Sequence, residues 1–325
     1  MSGPREQVGA TKKGALAKTP RQIPWAGWKP ILKRAWVNSG RHNLSLLSAG
    51  VAFYAFLSFV PLLGSLVMTY GLVADPATVA KHMRAIVDLV PADAARLIYE
   101  QLTQLTQSAA EKKGIGLLLA LAVSIYGASR ASGAMIGSLN IIYEQEDRRS
   151  LIRTALIAAA LAGGAVIVGL IGIVAASMLN FAQGLVEGLG PVGAVALQAI
   201  TWTIAAALCS FALGAMYRFA PDRADARWQW LSLGSGLATL LWLLTTLGFG
   251  LYASWLGDYD ATYGSLAAVV VLLMWLYVSA YAVLIGALVN AEVERQTSRD
   301  TTIGPEEPMG ERGATMADTS AALDQ

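Results

Sequence analysis

The sequence predicts an all-α, polytopic membrane protein with six transmembrane helices and a small helical outer loop. Two observations carry this. First, 55% of the 325 residues are apolar and 14% are charged, where an ordinary soluble domain has about 45–50% and about 25%. Second, Asp, Glu, Lys and Arg are missing from residues 44–74, 154–186, 188–217, 228–257 and 261–291, each longer than the roughly 20 residues a spanning helix needs. A sixth stretch, 114–143, is interrupted once, by Arg130.

From the N-terminus, residues 1–24 read as a disordered basic arm. Residues 25–43 change character, with Trp28, Ile31, Leu32, Ala35 and Trp36 at helical spacing and Lys29, Lys33 and Arg34 mostly elsewhere on the wheel. This predicts an interfacial amphipathic helix with its tryptophans at headgroup depth. The membrane domain, 44–292, follows, with spans at about 46–74, 114–140, 154–180, 190–217, 228–256 and 263–290. The outer loop, 75–113, has Val79, Met83, Ile86, Val87 and Val90 in one amphipathic pattern and Leu97, Ile98, Leu102 and Leu105 in a second, so two short helices are expected there. Residues 293–325, rich in Gly, Pro, Thr, Ala and acids and poor in periodicity, are expected to be a disordered tail. Nothing in the first 43 residues resembles a cleavable signal, and the first span is expected to serve as an uncleaved anchor.

Orientation follows from the basic residues. Nine of the 24 Lys and Arg precede the first span, and three more lie in each of the second loop, the fourth loop and the tail. The other side carries five, all in the loop 75–113. This places both termini in the cytoplasm of a bacterial inner membrane, with the chain multi-pass. The arm's positive charge fits attraction to an anionic leaflet, and membrane lipids are the expected partners. No stacking platform or base-reading pattern accompanies that charge, so no specific nucleic acid is expected. A homo-oligomer is left open.

Soluble-type catalysis has little to work with. His42 and His82 fall on opposite sides of the membrane, Cys209 is the sole cysteine, and no phosphate-binding glycine loop or serine-nucleophile elbow is present. The expectation is a protein that is not an enzyme, with no catalytic residue, no metal and no cofactor.

Arg130 is the one formal charge well inside a span, where an arginine is costly enough to need a partner or an aqueous cavity. Tyr126, Ser129, Gly133 and Gly137 lie around it, and small residues at that spacing either pack closely or leave space. With Asn140 and Asn290 these are the candidate substrate-path residues. Two readings of Arg130 stay open: bonds to carbonyls or hydroxyls of neighbouring helices, or contact with an anionic substrate. Pro61, Tyr263, Gly264 and Ser265 are assigned structural roles at a kink and at the opening of the last span.

The chain resembles the YihY/BrkB family of bacterial inner-membrane proteins over about 28–294. The resemblance rests on Ser48-Ala49-Gly50-Val51-Ala52-Phe53-Tyr54-Ala55-Phe56-Leu57-Ser58 with Pro61, on Ser129-Arg130 through Leu139-Asn140 and Tyr143 with Arg149, on Gly248-Phe249-Gly250-Leu251-Tyr252, on Tyr263-Gly264-Ser265-Leu266, and on Gly286-Ala287 with Asn290-Ala291-Glu292. Where the family commonly has a glutamate, this chain has Leu288, which argues against a required carboxylate there. The resemblance implies six spans and a transporter-like role connected with the cell envelope; it supplies no agreed active site. Some members carry an old ribonuclease BN label. Three readings follow: a transporter or flippase-like protein for an anionic, lipid-linked envelope compound, a non-transporting scaffold for envelope partners, and last a ribonuclease.

Overall fold

The computed structural model describes residues 13–70, 115–165, 167–168, 190–255 and 265–323. A 3-10 turn, Pro20–Gln22, precedes α1, Trp25–Arg41, and α2, Leu44–Tyr70. Then come α3, Ile115–Ile142, and α4, Leu151–Ala165. The long helices α5, Gly190–Phe219, α6, Trp228–Trp255, and α7, Ser265–Glu294, follow, and a four-residue α8, Thr315–Asp318, lies near the C-terminus. Among the described residues there is no β-strand; Ala226 and Thr302 form an isolated antiparallel bridge. The fold is all-α and that of a polytopic membrane protein. Val195–Phe219, Trp228–Leu251 and Val269–Glu294 are each long and apolar enough to cross a bilayer, and Leu44–Ser58 and Leu151–Ala165 are shorter apolar segments. The expected outer loop, 75–113, and the later part of the expected third span lie outside the described residues.

α7 is the central element, packed against α6, α2, α1 and α3. Its tightest approach is to α6, where a Cβ on Gly234 would run into the carbonyl oxygen of Gly286, and one on Gly286 would meet the Gly234 carbonyl and the Ala238 side chain. Two glycines facing each other let the backbones touch, the usual small-residue solution for helices without a hydrophobic drive between them. Gly127 does the same between α3 and α2: its Cβ would lie 2.8 Å from Cα of Ser58. Buried side chains such as Leu139, Ile142, Tyr217, Leu231, Leu284 and Leu288 form one core at the end of the bundle where both termini lie. Asn43 and Glu144, with φ of 51° and 52°, turn the chain out of α1 and α3 in the left-handed region, which asparagine tolerates better than most residues.

The expectation of disordered termini needs correcting for residues 13–24 and 293–323, which are folded against one another. The Ser298 N–H donates to Ala15 O at 2.8 Å, and the Thr297 hydroxyl donates to Ala17 O at 2.7 Å. Arg312, 6% exposed, donates to the carbonyls of Glu307, Ala317 and Ser298. Met316 and Ile23 reach the main core. The order rests on Ser, Thr, Asp and Arg side chains bonding to backbone, which leaves no apolar periodicity for a pattern search to find.

α1 also differs from its expected pattern. Ile31 and Ala35 are buried and Trp28 packs on the core, while Leu32 and Trp36 are exposed. The apolar stripe is wide enough to serve two neighbours, α7 on one side and the surroundings of the protein on the other.

Candidate functional site

On α3, Tyr126 and Arg130 are one turn apart, and the guanidinium carbon lies 5.1 Å from the ring centroid. Both residues are exposed, as is Ser129. Further along the same face a Cβ at Gly133 or Gly137 would meet nothing within 4 Å among the described residues. Among the described residues no carboxylate pairs with Arg130, and its recorded partner is the face of Tyr126. Among the described residues the result is an open strip with a cation and an aromatic ring at one end and two uncovered glycines beyond.

Asn140 and Asn290 are not part of that strip. Asn140 lies ten residues beyond Arg130, about 15 Å along the helix, and is buried. Its Oδ1 accepts the Asp222 N–H at 2.8 Å and its amide donates to Asp147 at 3.2 Å. Arg149 donates to both oxygens of Asp147 at 3.0 Å. The hydrogen bond from Arg149 chiefly, helped by that from Asn140, holds the Asp147 carboxyl below its ordinary range. Asn290 sits at the Gly234–Gly286 crossing, where Oδ1 accepts the Gly234 N–H at 2.6 Å and Nδ2 donates to Leu231 O at 2.9 Å. Each asparagine is occupied by holding two segments together. α2 runs through position 61 and Ser265 begins α7; their side chains, like Tyr263 and Gly264 altogether, lie outside the described residues.

Two ion pairs with buried carboxylates, one of them buried on both sides, have no signature in the sequence. Glu292, on α7, accepts from Arg34 Nε at 2.6 Å and from the Asn38 amide at 2.5 Å, and Arg34 also donates to Gln296 at 2.8 Å. Glu294 accepts both arms of Arg223 and the hydroxyl of Thr301 at 2.6 Å. Residues two apart on a helix point about 200° apart, so Glu292 faces α1 while Glu294 faces the α5–α6 loop. Burial works against the Arg223 charge, but the charge and hydrogen bond of Glu294, with smaller help from Tyr143 and Asp225, together outweigh it and raise the pKa. Tyr143 lies with its ring 4.8 Å below that guanidinium, and burial pushes its phenol pKa well up. The available signal was two acids at the end of a span; acids there are ordinarily solvated, and nothing in their spacing names the partner arginines.

A looser group joins three elements. His42 Nε2 and Arg295 Nη1 lie 3.8 and 3.9 Å from the same oxygen of Glu144. Among the described residues no three His, Cys, Asp or Glu side chains cluster as a metal would require.

Residues 35–310 match the family model described as Virulence factor BrkB. The chain is 26% identical over 271 residues to the ribonuclease-like protein YfkH of Bacillus subtilis, covering 82% of this chain and 96% of that protein. It is 25% identical over 303 residues to a UPF0761 membrane protein of Rhodospirillum centenum, covering 90% of this chain and 64% of the relative. A UPF0761 membrane protein of Albidiferax ferrireducens is 26% identical over 298 residues, with 87% and 66% covered. The chain thus spans nearly the whole Bacillus relative but under two thirds of the other two. No solved structure matches it.

Proposed function

Because the chain belongs to the BrkB family of membrane proteins, we propose that it is an inner-membrane transporter or flippase-like protein for an anionic, lipid-linked envelope compound. The observation that supports this is the open strip on α3. Arg130 is exposed in a helix otherwise free of charge, over Tyr126, with space at Gly133 and Gly137. A guanidinium offers a phosphate or carboxylate two parallel hydrogen bonds, and its charge is strengthened where water is scarce. Tyr126 steadies the cation, and the glycines leave room for an anion beside it. A strip open on the helix flank suits a substrate that keeps its apolar part in the bilayer.

The test is complementation of a deletion strain, with detergent melting of each purified variant. Arg130→Gln is expected to insert and fold but to lose function, and Arg130→Lys to keep part of it, because lysine supplies the charge without the fork. Full complementation by Arg130→Gln would remove Arg130 from the mechanism. A collapse in abundance would move it to a structural role.

A non-transporting scaffold for envelope partners is the second reading. It is favoured by Asn140 and Asn290, which are occupied in fastening the bundle and do not line the Arg130 strip.

A further inference from the structure

The two faces of α1 differ in chemistry. Gly27, Ile31, Ala35 and Asn38 are buried, and on that side Arg34 and Asn38 hold Glu292 at the end of α7. The opposite face presents Trp25, Lys29, Leu32, Lys33 and Trp36, all exposed, with the two tryptophans at 83% and 81%. The 17-residue helix carries four basic residues and no acid.

Bulk water is a poor solvent for such a face. An indole has an apolar body with one N–H, and a lysine has an apolar stem with a charged tip, so both place their two ends best at the boundary between acyl chain and headgroup. Interleaving Trp25 and Trp36 with Lys29 and Lys33 matches that boundary over twelve residues, about 16 Å of helix. The sign of the charge, with no acid in the helix to offset it, selects anionic headgroups over zwitterionic ones.

We infer that the exposed face of α1 is a docking strip for anionic phospholipid headgroups, and that lipid bound there steadies the last turn of α7 through Arg34 and Asn38. Lys33 and Arg34 are consecutive but point about 100° apart, so the strip and the grip on Glu292 share one short length of helix backbone. Whatever immobilises α1 against the bilayer also immobilises the two donors that hold Glu292. This is independent of the Arg130 reading, since neither face of α1 includes the α3 strip.

The experiment uses the full chain in nanodiscs of phosphatidylcholine alone, and of phosphatidylcholine mixed with phosphatidylglycerol. Thermal unfolding and hydrogen exchange of residues 291–296 are followed in both. Phosphatidylglycerol should raise the unfolding midpoint and slow exchange at 291–296. Lys29→Gln/Lys33→Gln should lose most of both responses, with association to the anionic lipid weakened about fivefold per lysine removed, while melting in phosphatidylcholine alone stays as in the parent. The strip is overturned if phosphatidylglycerol has no effect, if the double variant keeps the full response, or if inorganic phosphate in detergent reproduces it. The link to α7 is overturned if the midpoint responds while exchange at 291–296 does not.

Discussion

Arg223 and Glu294 meet in a two-armed pair, at 2.8 and 2.7 Å, with their side chains 0% and 1% exposed. The pair fastens the α5–α6 loop to the end of α7, and Thr301 adds the tail to the same carboxylate at 2.6 Å. Taking two charges out of water is expensive, and the attraction between them roughly offsets that cost when geometry is good. The pair therefore matters most when it is broken. Either Arg223→Gln or Glu294→Gln should destabilise the protein by about 3–5 kcal/mol, because the remaining charge stays buried alone. Detergent melting should show Arg223→Met/Glu294→Leu as less damaged than either single variant; equal losses in all three would mean the pair contributes through its shape instead.

The glycines of α6 divide into two kinds. Gly286→Val on α7 drives a side chain into the Gly234 carbonyl and Ala238, and should sharply lower the amount of folded protein recovered from membranes. Gly236, two residues from Gly234, has no neighbour within reach of a Cβ among the described residues, so Gly236→Ala should be tolerated and should raise helix stability by up to about 1 kcal/mol. Fluorescence-detected size exclusion of the two variants separates the outcomes, and loss of folded Gly236→Ala would show that this face is covered in the membrane.

How much of this was legible in the sequence depends on which force orders each part. The membrane helices follow from apolar runs, because a bilayer leaves a charge-free segment no alternative to internal hydrogen bonding. Pattern failed where side chains bond to distant backbone. Thr297 fastens Ala15 and Ala17 across some 280 residues of chain, and Arg34 reaches Glu292 from α1, yet none of these has a periodic signature. Arg130 was visible because a charge in an apolar run is conspicuous; Arg223 was not, because it stands in a polar loop among other charges.

The orientation inferred from basic residues has a direct test in single-cysteine variants. With Cys209→Ala as background, Glu306→Cys places the probe on a side chain that is 70% exposed, and Ala94→Cys places one in the opposite loop. If both termini are cytoplasmic, an impermeant maleimide added to intact cells labels position 94 and spares position 306 until the membrane is opened. The reverse pattern would invert the topology and put the folded termini outside.

His42 sets the expected acid response of the termini-proximal end. Burial is the largest influence on its imidazole and lowers its pKa below 6.5; Arg41 lowers it too, while Glu144 and Glu292 raise it less than burial lowers it. A folded-state pKa below the unfolded one means the unfolded chain binds the proton more readily. The folded protein therefore has its full stability from this group above about pH 6.5 and loses it as the pH falls toward the lowered value. Asp147 and Asp300 are also lowered, Asp147 chiefly by its Arg149 hydrogen bond. For Asp300, burial is the largest influence and acts upward, but the Thr302 and Glu307 hydrogen bonds and the Arg312 charge together outweigh it. Their contributions persist until the pH approaches and passes below about 4, so the loss from His42 sets in about two pH units before theirs. Melting should decline in two stages on acidification, and His42→Gln should flatten the first and leave the second. Glu144→Gln should steepen the first stage, since losing that carboxylate removes the main influence favouring the imidazolium. An unchanged first stage in His42→Gln would assign it to another group.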